Sequence, residues 1–164
     1  MLPELNFPKY NFRIRKRVFA EGEASSAKAI HEIFDRVRKK FVALTPEEWV
    51  RQHLLEFLIM EKKFPLSLLA IEKELILNQT KKRTDLLAYS NKLKPILIAE
   101  CKAPNVVLDD ETLKQALRYN LVYNVSFLII TNGMNHYLFE GEANNKSWRQ
   151  SESFPNYDIL SAGQ

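Results

Sequence analysis

The 164-residue sequence predicts one small mixed α/β domain, of the α+β type, that spans residues 1–164. Its length suits a single hydrophobic core. Its composition, with 46% hydrophobic and 27% charged residues, is that of an ordinary soluble globular protein. Its apolar patterns predict two helices, three strands, a further helix and two strands, in that order. We expect the core within about residues 25–141 and a polar C-terminal tail at 142–164.

The charge and the cysteine content bear on partners and location. The formal net charge of +4 permits a polyanionic partner, although a solvated lysine-rich surface explains it equally well. Cys101, the only cysteine, cannot form an intrachain disulfide, which fits the reducing cytoplasm. The longest apolar runs, such as Ser126 to Ile130, are too short to span a bilayer, and the first ten residues lack the apolar stretch of a signal peptide.

The N-terminal third predicts a basic segment followed by two helices. Residues 12–19 are basic and partly alternating, as in a strand or an arm. Residues 25–41 place apolar side chains at spacings of three and four, which predicts a helix with its cations near the C-terminal end. Thr45 as N-cap, a proline at the first helical position and Glu48 three residues after the cap predict the start of a second helix, which runs to about Lys62.

The rest of the chain predicts strands around one further helix. Short β-rich runs bounded by polar or turn residues predict five strands. Asn132-Gly133 is a strong hairpin-turn dipeptide between the last two of them. After them we expect an irregular tail that Trp148 and Phe154 pin to the domain. The predicted strands are 68–77, 84–89, 95–102, 125–131 and 136–140, and the helix runs from Asp110 or Thr112 to Tyr123.

The strand at 95–102 carries the residues with chemical potential. Alternate residues of a strand face opposite sides of a sheet, and both sides of this strand begin apolar, as in a strand buried on both faces. Glu100 and Lys102 then emerge together at its C-terminal end. One face carries Ile96, Ile98, Glu100 and Lys102, and the other carries Leu97, Ala99 and Cys101.

A hairpin between this strand and the preceding one brings a second carboxylate to the same place. With the turn centred between Lys92 and Leu93, Asp85 lies directly opposite Glu100. Paired residues have Cβ atoms about 5 Å apart, so the two carboxylates repel each other unless a cation lies between them. Hard divalent ions such as Mg²⁺ use oxygen sites of this kind.

These groups predict a two-carboxylate-plus-lysine site for Mg²⁺ or Mn²⁺. Asp85 and Glu100 would hold one or two ions, and the backbone carbonyl of Cys101 is placed to add an oxygen ligand. Such an ion would acidify water and neutralise phosphate charge. Lys102 would orient that water or help to deprotonate it, or stabilise the charge that builds on phosphorus. The alternative is a Glu100–Lys102 charge pair on a solvated rim, because the E-x-K spacing is common.

Further polar residues surround this predicted site. Gln115 and Tyr119 are four residues apart, so they lie on one helix face and could position a phosphate, or they form an ordinary polar flank. Basic clusters could contact DNA phosphates, although a solvated face is the simpler interpretation of any single cluster. The candidates are Lys81, Lys82, Arg83, Arg38 and Lys39, with Arg13–Arg17 upstream.

Together these motifs resemble a known family. The order Asp85, then Glu100-Cys101-Lys102, then Gln115-Ala116-Leu117-Arg118-Tyr119 is similar to the D…ExK…QxxxY pattern of PD-(D/E)xK nucleases of the RecB-like branch. The stretches Ile33–Lys40 and Leu44–Gln52 resemble the N-terminal nuclease domain of type I restriction enzyme R subunits (HsdR-like). The resemblance covers most of the chain.

The resemblance implies a restriction-endonuclease-like core, with a mixed central sheet flanked by helices. It also implies Mg²⁺-dependent cleavage of phosphodiester bonds in DNA. It assigns metal binding to Asp85 and Glu100 and the catalytic-lysine role to Lys102. An acid from the preceding helix often completes such sites, and Glu48 is the first choice and Glu47 the second. Both acids also suit a helix N terminus without any catalytic role.

Two departures limit what the resemblance implies. Thr84 stands where the family has a proline before Asp85, a change that such families tolerate. The sequence has no G-x-x-x-x-G-K-[ST] run, hence no Walker A motif. Either a restriction role needs motor or other restriction-system subunits in trans, or the protein acts independently. The alternatives are a catalytically silent DNA-binding or complex-assembly module on the same fold and a nuclease that acts on RNA. The sequence leaves the oligomeric state open.

Overall fold

The polypeptide forms two β-sheets, with helices packed around the larger one. A computed structural model describes residues 2–18, 29–77, 80–142 and 147–162, with the backbone alone described at 75–77 and 80–82. The strands are β1 (Ile14–Arg17), β2 (Ile30–Asp35), β3 (Lys40–Ala43), β4 (Leu69–Leu77), β5 (Thr80–Tyr89), β6 (Pro95–Cys101), β7 (Phe127–Thr131), β8 (His136–Glu142) and β9 (Ser147–Ser151). The helices are α1 (Pro46–Met60), α2 (Asp110–Tyr123) and α3 (Tyr157–Ala162), with a 3-10 turn at Leu66–Leu68.

The larger sheet is six-stranded and mixed. Its strands follow one another in the order β4-β5-β6-β7-β8-β9, and each pair is antiparallel except β6 with β7. Parallel pairing requires a long connection, and helix α2 forms most of the regular structure in the connection between these two strands. The predicted mixed sheet flanked by helices is confirmed.

The sheet separates two apolar clusters, and β6 contributes to both. Residues 96–101 are each at most 3% exposed, which confirms a strand buried on both faces. Leu97, Ala99 and Cys101 pack in the cluster that contains α1, whereas Ile98 packs with Tyr119 of α2. Ile96, expected on the face of Ile98, joins the α1 cluster instead. It lies beside a register shift in the β5–β6 ladder, which disturbs the alternation.

The prediction of a helix at residues 25–41 is wrong. Residues 25–28 lie outside the described residues, and the remainder forms the antiparallel hairpin β2–β3. The Asp35 carboxylate accepts backbone hydrogen bonds from Val37 (2.8 Å) and Arg38 (2.7 Å), and Lys39 adopts φ +52°. Such side-chain capping competes with helix formation. The spacing of three and four among β-branched and aromatic residues therefore belongs to two short strands and their turn.

Helix α1 begins as its sequence predicts. The Thr45 hydroxyl accepts a hydrogen bond from the Glu48 amide at 3.0 Å, and Pro46 is the first helical residue. The helix ends at Met60, two residues before the predicted end. Its buried apolar face is Val50, Leu54, Leu55 and Leu58. No helix in the described part of the chain is long and apolar enough to cross a membrane.

The C-terminal tail is not irregular, contrary to expectation. Strand β9 pairs with β8 and closes the described end of the larger sheet, and α3 follows it. Most side chains of β9 are polar and exposed or half-buried, so the strand lacks the apolar alternation that would have identified it. Trp148 and Phe154 do pack against the two apolar clusters, as predicted.

The turn between β7 and β8 confirms the predicted hairpin and receives the N-terminal segment. Gly133 has φ +82°, a backbone conformation that residues with a Cβ atom rarely adopt. Its carbonyl accepts a hydrogen bond from the Asn6 amide at 2.7 Å. A Cβ at this position would lie 2.8 Å from Leu5 Cδ2 and 3.0 Å from Val50 Cγ2.

Replacement of Gly133 by alanine is therefore expected to destabilise the fold by about 1–3 kcal/mol. The cost combines an unfavourable backbone conformation with pressure of the new methyl group on Leu5 and Val50. Urea denaturation followed by circular dichroism measures it. Met134→Ala, in the same turn but exposed, serves as control and should change stability by no more than about 0.5 kcal/mol. Equal stability of the Gly133→Ala protein and the wild type would contradict this account of the turn.

Candidate functional site

The strands β5 and β6 bring Asp85 and Glu100 together. The ladder pairs Leu86 with Ala99, the register from which the sequence places Asp85 opposite Glu100. The Asp85 Oδ2 atom accepts a hydrogen bond from the Cys101 amide at 2.6 Å. In an antiparallel strand the N–H and C=O of one residue point to the same side, so the Cys101 carbonyl is directed toward β5 as well.

Glu100 is a buried acid with an unevenly hydrogen-bonded carboxylate and a raised pKa. It is 3% exposed, and its Oε1 atom accepts hydrogen bonds from Lys102 Nζ (2.9 Å) and Gln115 Nε2 (2.5 Å). Its Oε2 atom is buried and has no hydrogen-bond partner among the described residues. Burial, followed by the negative charge of Asp85, raises the pKa of Glu100 to about 7. A buried carboxylate oxygen without a donor is costly unless a cation or a proton satisfies it.

Lys102 and helix α2 complete the pocket around Glu100. The Lys102 ammonium also donates to Gln115 Oε1 at 3.0 Å, and the Gln115 amide donates to the Tyr119 hydroxyl at 3.2 Å. Burial lowers the pKa of Lys102, but its hydrogen bond to Glu100 and the charges of the neighbouring acids outweigh this and raise the pKa. Lys102 is therefore a cation here and a hydrogen-bond donor. The structure thus brings Asp85, Glu100, Lys102, Gln115 and Tyr119 into one place.

The two acids at the start of α1 occupy different surroundings. Both oxygens of Glu48 are engaged, since Oε1 accepts from Arg38 (2.7 Å) and Gln52 (2.8 Å) and Oε2 contacts Arg51. The Glu47 side chain is 45% exposed and pairs with Arg51 at 3.0 Å. Burial, followed by the negative charge of Asp85, raises the pKa of Glu47. Glu47 is thus the more exposed of the two acids, and its pKa responds to the charge of Asp85.

The buried Arg51 and the partly buried Arg38 link these acids, and the sequence did not predict this role. The Arg51 Nη2 atom donates to Asp85 Oδ1 (2.9 Å) and to Glu47 Oε1 (3.0 Å), and Nη1 donates to Glu48. The signal was available in part, because Arg51 lies three and four residues after two glutamates of one helix. Its contact with Asp85 depends on the tertiary fold.

Arg38, a predicted phosphate contact, lies inside this network. Its guanidinium donates to Asp35 (2.6 Å), Glu48 (2.7 Å) and Glu72 (2.7 Å), and its side chain is 14% exposed. The structure therefore does not direct Arg38 toward an open surface. Of the other predicted phosphate contacts, Lys39 and Arg83 are exposed. The side chains of Lys81 and Lys82 lie outside the described residues.

Cys101 contributes its backbone to the site and its side chain to the core. The thiol is buried without a disulfide partner, and burial raises its pKa well above the ordinary value. A protonated, buried thiol is not a nucleophile.

The residues at this place suit a hard divalent cation, although no group of three or more histidine, cysteine, aspartate or glutamate side chains in the described ranges is already arranged around an ion position. The fit rests on the Glu100 Oε2 atom, which is buried and to which none of the described side chains or amides donates. Each Asp85 oxygen already accepts one hydrogen bond, from Arg51 or from the Cys101 amide, and keeps a further lone pair. Carboxylate and carbonyl oxygens are the ligands that Mg²⁺ prefers.

Comparisons with known proteins agree with this architecture. The family model described as "Type I restriction enzyme R protein N terminus (HSDR_N)" matches residues 46–155. A search of curated proteins finds no match. Among solved structures, the chain is similar to a fragment assigned to the HsdR subunit of a type I restriction enzyme from Vibrio vulnificus YJ016. The two are 20% identical with a TM-score of 0.51, and the match covers 71% of this chain and 24% of the other. At this identity the likeness shows a shared fold.

Proposed function

Because the chain belongs to the family of type I restriction enzyme R protein N-terminal regions, we propose that it is a Mg²⁺-dependent DNA endonuclease domain of the PD-(D/E)xK superfamily, QxxxY branch. The observation that carries the proposal is the position of buried Glu100, one of whose oxygens has no donor in the described part of the chain, beside Asp85 and a protonated Lys102. An acid pair, a lysine and a glutamine on the adjoining helix form one contiguous polar site at the end of β6, whose preceding residues are buried and apolar.

Asp85, Glu100 and the Cys101 carbonyl would hold the ion, either Mg²⁺ or Mn²⁺. When bound, such an ion supplies Lewis acidity toward water and the phosphate oxygens. Asp85 is held in place for this by two donors, the Cys101 amide and Arg51. Glu100 is held by Lys102 and Gln115 through one oxygen, which leaves the other oxygen for the cation.

Lys102 acts as a cation rather than as a base. Its raised pKa keeps the ammonium protonated at neutral pH, so it stabilises negative charge on the phosphate and orients a water molecule by donating to it. Gln115 fixes the ammonium from the other side, and Tyr119 fixes the Gln115 amide. The glutamine and the tyrosine are positioning residues in this scheme.

We assign the helix acid of the site to Glu47. Glu48 uses both of its oxygens within the arginine network, and Gln52 adds a further donor to it. Glu47 is half-exposed, and its pKa responds to Asp85 and Lys102 as well as to burial. It can therefore approach a substrate or a second ion, whereas Glu48 serves the arginine network.

The restriction-system context follows from the family. The chain spans 24% of the length of the HsdR chain that it matches. The 164 residues carry no Walker A motif, so DNA translocation and any restriction activity would depend on a motor that these residues do not themselves supply.

The test is incubation of the purified protein with supercoiled and linear DNA in Mg²⁺, in Mn²⁺ and in EDTA. We expect cleavage with either metal and none in EDTA. Lys102→Met is expected to lower the cleavage rate by about 10²-fold, because it removes a donor to developing negative charge. Lys114→Met removes an exposed lysine from α2 next to Gln115 and should cleave at the wild-type rate.

Three results would count against the proposal: no cleavage by the wild-type protein with either metal, cleavage that persists in EDTA, or equal rates for Lys102→Met and wild type. DNA binding without cleavage would favour the catalytically silent DNA-binding module. Cleavage of RNA in preference to DNA would reassign the substrate.

A further inference from the structure

Glu72 of β4 extends the pair of acids in the candidate site to a row of three. The neighbouring pairs of the β4–β5 ladder place Glu72 directly opposite Asp85. Asp85 in turn lies opposite Glu100 in the register of β5 and β6. Carboxylates that face each other on neighbouring strands destabilise the sheet unless positive charge lies between them. The row therefore calls for a positive charge at each of its two steps, and the ion proposed for Asp85 and Glu100 would supply one of them.

The backbone of Glu72 adopts a left-handed conformation inside a strand. Its φ is +51°, a region that residues with a Cβ atom rarely adopt. The other described non-glycine residues with positive φ lie outside strands and helices, and they are Lys39, Lys63, Leu93 and Asn124. Strained backbone of this kind persists where surrounding contacts constrain it, and it is concentrated at functional sites. The contacts of the Glu72 carboxylate supply such a constraint.

The Glu72 carboxylate joins the arginine network that holds Asp85. Its Oε2 atom accepts a hydrogen bond from Arg38 Nη1 at 2.7 Å, and its Oε1 atom lies 3.7 Å from Arg51 Nη1. The exposed Arg83 lies 3.8 Å from Oε2. The other terminal nitrogen of Arg51, Nη2, donates to Asp85 Oδ1 at 2.9 Å. Arg51 thus contacts both of the opposed acids, Glu72 and Asp85, and supplies the positive charge that their opposition requires.

The Arg51 guanidinium that holds Asp85 in place also repels a cation bound there. The repulsion is strong because Arg51 is buried, and buried charges are poorly screened by solvent and salt. The Glu72 carboxylate offsets part of this positive charge, and its hydrogen bond to Arg38 offsets the second guanidinium of the network. Loss of the Glu72 charge would leave both guanidinium groups more dependent on the remaining acids, which include Asp85. The affinity of Asp85 for a cation would then fall.

We propose that Glu72 is a positioning residue of the candidate site. Its carboxylate orients and partly neutralises Arg38 and Arg51, and it thereby maintains the affinity of Asp85 for a divalent cation. The inference rests on the proposed metal-dependent function, because it concerns the ion that Asp85 and Glu100 would hold. Glu72 acts through the arginines and is not itself assigned as a ligand of that ion. Strand β4 is thus added to the elements that determine metal affinity.

The experiment measures Mn²⁺ binding by isothermal titration calorimetry in the absence of DNA. Glu72→Gln keeps the size of the side chain and removes its charge. We expect this variant to bind Mn²⁺ about tenfold more weakly than the wild type, as when an outer-shell partner of a metal ligand is lost. Glu72→Asp retains the charge and should lose less affinity. Glu74→Gln neutralises an exposed glutamate two residues along the same strand and should bind Mn²⁺ as the wild type does.

Glu72→Gly separates the loss of the carboxylate from the backbone strain. Glycine suits a left-handed conformation, so this variant should fold, as thermal melting without metal verifies, and should bind Mn²⁺ as weakly as Glu72→Gln. Wild-type affinity in either variant, or an equal loss in Glu74→Gln, would overturn the inference. Absence of Mn²⁺ binding by the wild type would overturn it together with the proposed metal site. Mn²⁺ binding that depends on Glu72 in a protein that cleaves no DNA would support the inference while the nuclease proposal fails.

Discussion

Replacement of Glu100 by glutamine is expected to lower metal-dependent DNA cleavage by about 10³-fold, the scale of loss when one charge-stabilising group leaves an active site. Glutamine keeps the size and the acceptor oxygen that Lys102 and Gln115 use. It places an amide or a neutral oxygen at the position of Glu100 Oε2, which accepts no hydrogen bond from the described residues. A lower cleavage rate would therefore be caused by the missing negative charge and not by a change in the shape of the site.

The same substitution is expected to stabilise the fold above neutral pH. Burial and the neighbouring Asp85 raise the pKa of Glu100 from 4.5 to about 7. The folded state then holds this proton more tightly than the unfolded state, so the associated stability is complete below about pH 4.5 and is lost as the pH rises through about 7. At about 1.4 kcal/mol per pKa unit, the loss approaches about 3 kcal/mol. Glutamine does not ionise, so the variant does not lose this stability as the pH rises.

Cleavage assays and urea denaturation at about pH 5 and about pH 8 measure both effects. The stability gain of Glu100→Gln over wild type should be near its maximum at the higher pH and fall to about 1 kcal/mol or less at the lower one. Mg²⁺ should raise the melting temperature of the wild type and leave that of Glu100→Gln unchanged. Glu111→Gln neutralises an exposed glutamate on α2 and should match the wild type in all three measurements. Full cleavage activity in Glu100→Gln would remove Glu100 from the site.

Replacement of Arg51 by methionine is expected to cost about 3–5 kcal/mol of unfolding free energy. Its side chain is 5% exposed and connects Glu47, Glu48 and Asp85. Methionine fills a similar volume but leaves Glu48 and Asp85 with less compensation for their buried charge. The cost comes from these stranded carboxylates, because an intact buried ion pair is itself only weakly stabilising.

Chemical denaturation of Arg51→Met, Arg51→Lys and a surface control tests this expectation. Arg51→Lys keeps the charge but cannot reach three carboxylates at once, so it should fall between wild type and Arg51→Met. Arg149 also pairs with two glutamates, but its side chain is 62% exposed. Arg149→Met should therefore cost no more than about 1 kcal/mol. Similar losses for Arg51→Met and Arg149→Met would show that burial of the network contributes little.

The sequence predicts best those elements whose signals are local. The Thr45 cap defines the start of α1, and the apolar runs define β4 to β8, because each signal is read over a few neighbouring residues. Local signals do not predict the hairpin β2–β3. Its apolar spacing also fits a helix, and its turn depends on the Asp35 side chain and on contacts with α1 and β4.

The candidate site divides in the same way. Strand and helix periodicity suffice to place Asp85, Glu100 and Lys102 together and Gln115 with Tyr119 on one helix face. The arginine network does not follow from periodicity, since Arg38 and Arg51 meet acids from β2, α1, β4 and β5 only after the chain has folded. For the same reason the different surroundings of Glu47 and Glu48 are invisible in the sequence.

The crossover from β6 through α2 to β7 determines when the site assembles during folding. The neighbouring antiparallel pairs β4–β5 and β5–β6 close short connections, whereas β6 and β7 are joined by the long connection that contains α2. Non-local pairing is slow because the chain loses the entropy of loop closure before the contacts that compensate for this loss have formed. We therefore expect a folding chain to pair Asp85 with Glu100 before it gains Gln115, an order that hydrogen exchange during refolding would measure. Any local opening of α2 in the native protein reverses that last step and releases Gln115 from Lys102 and Glu100.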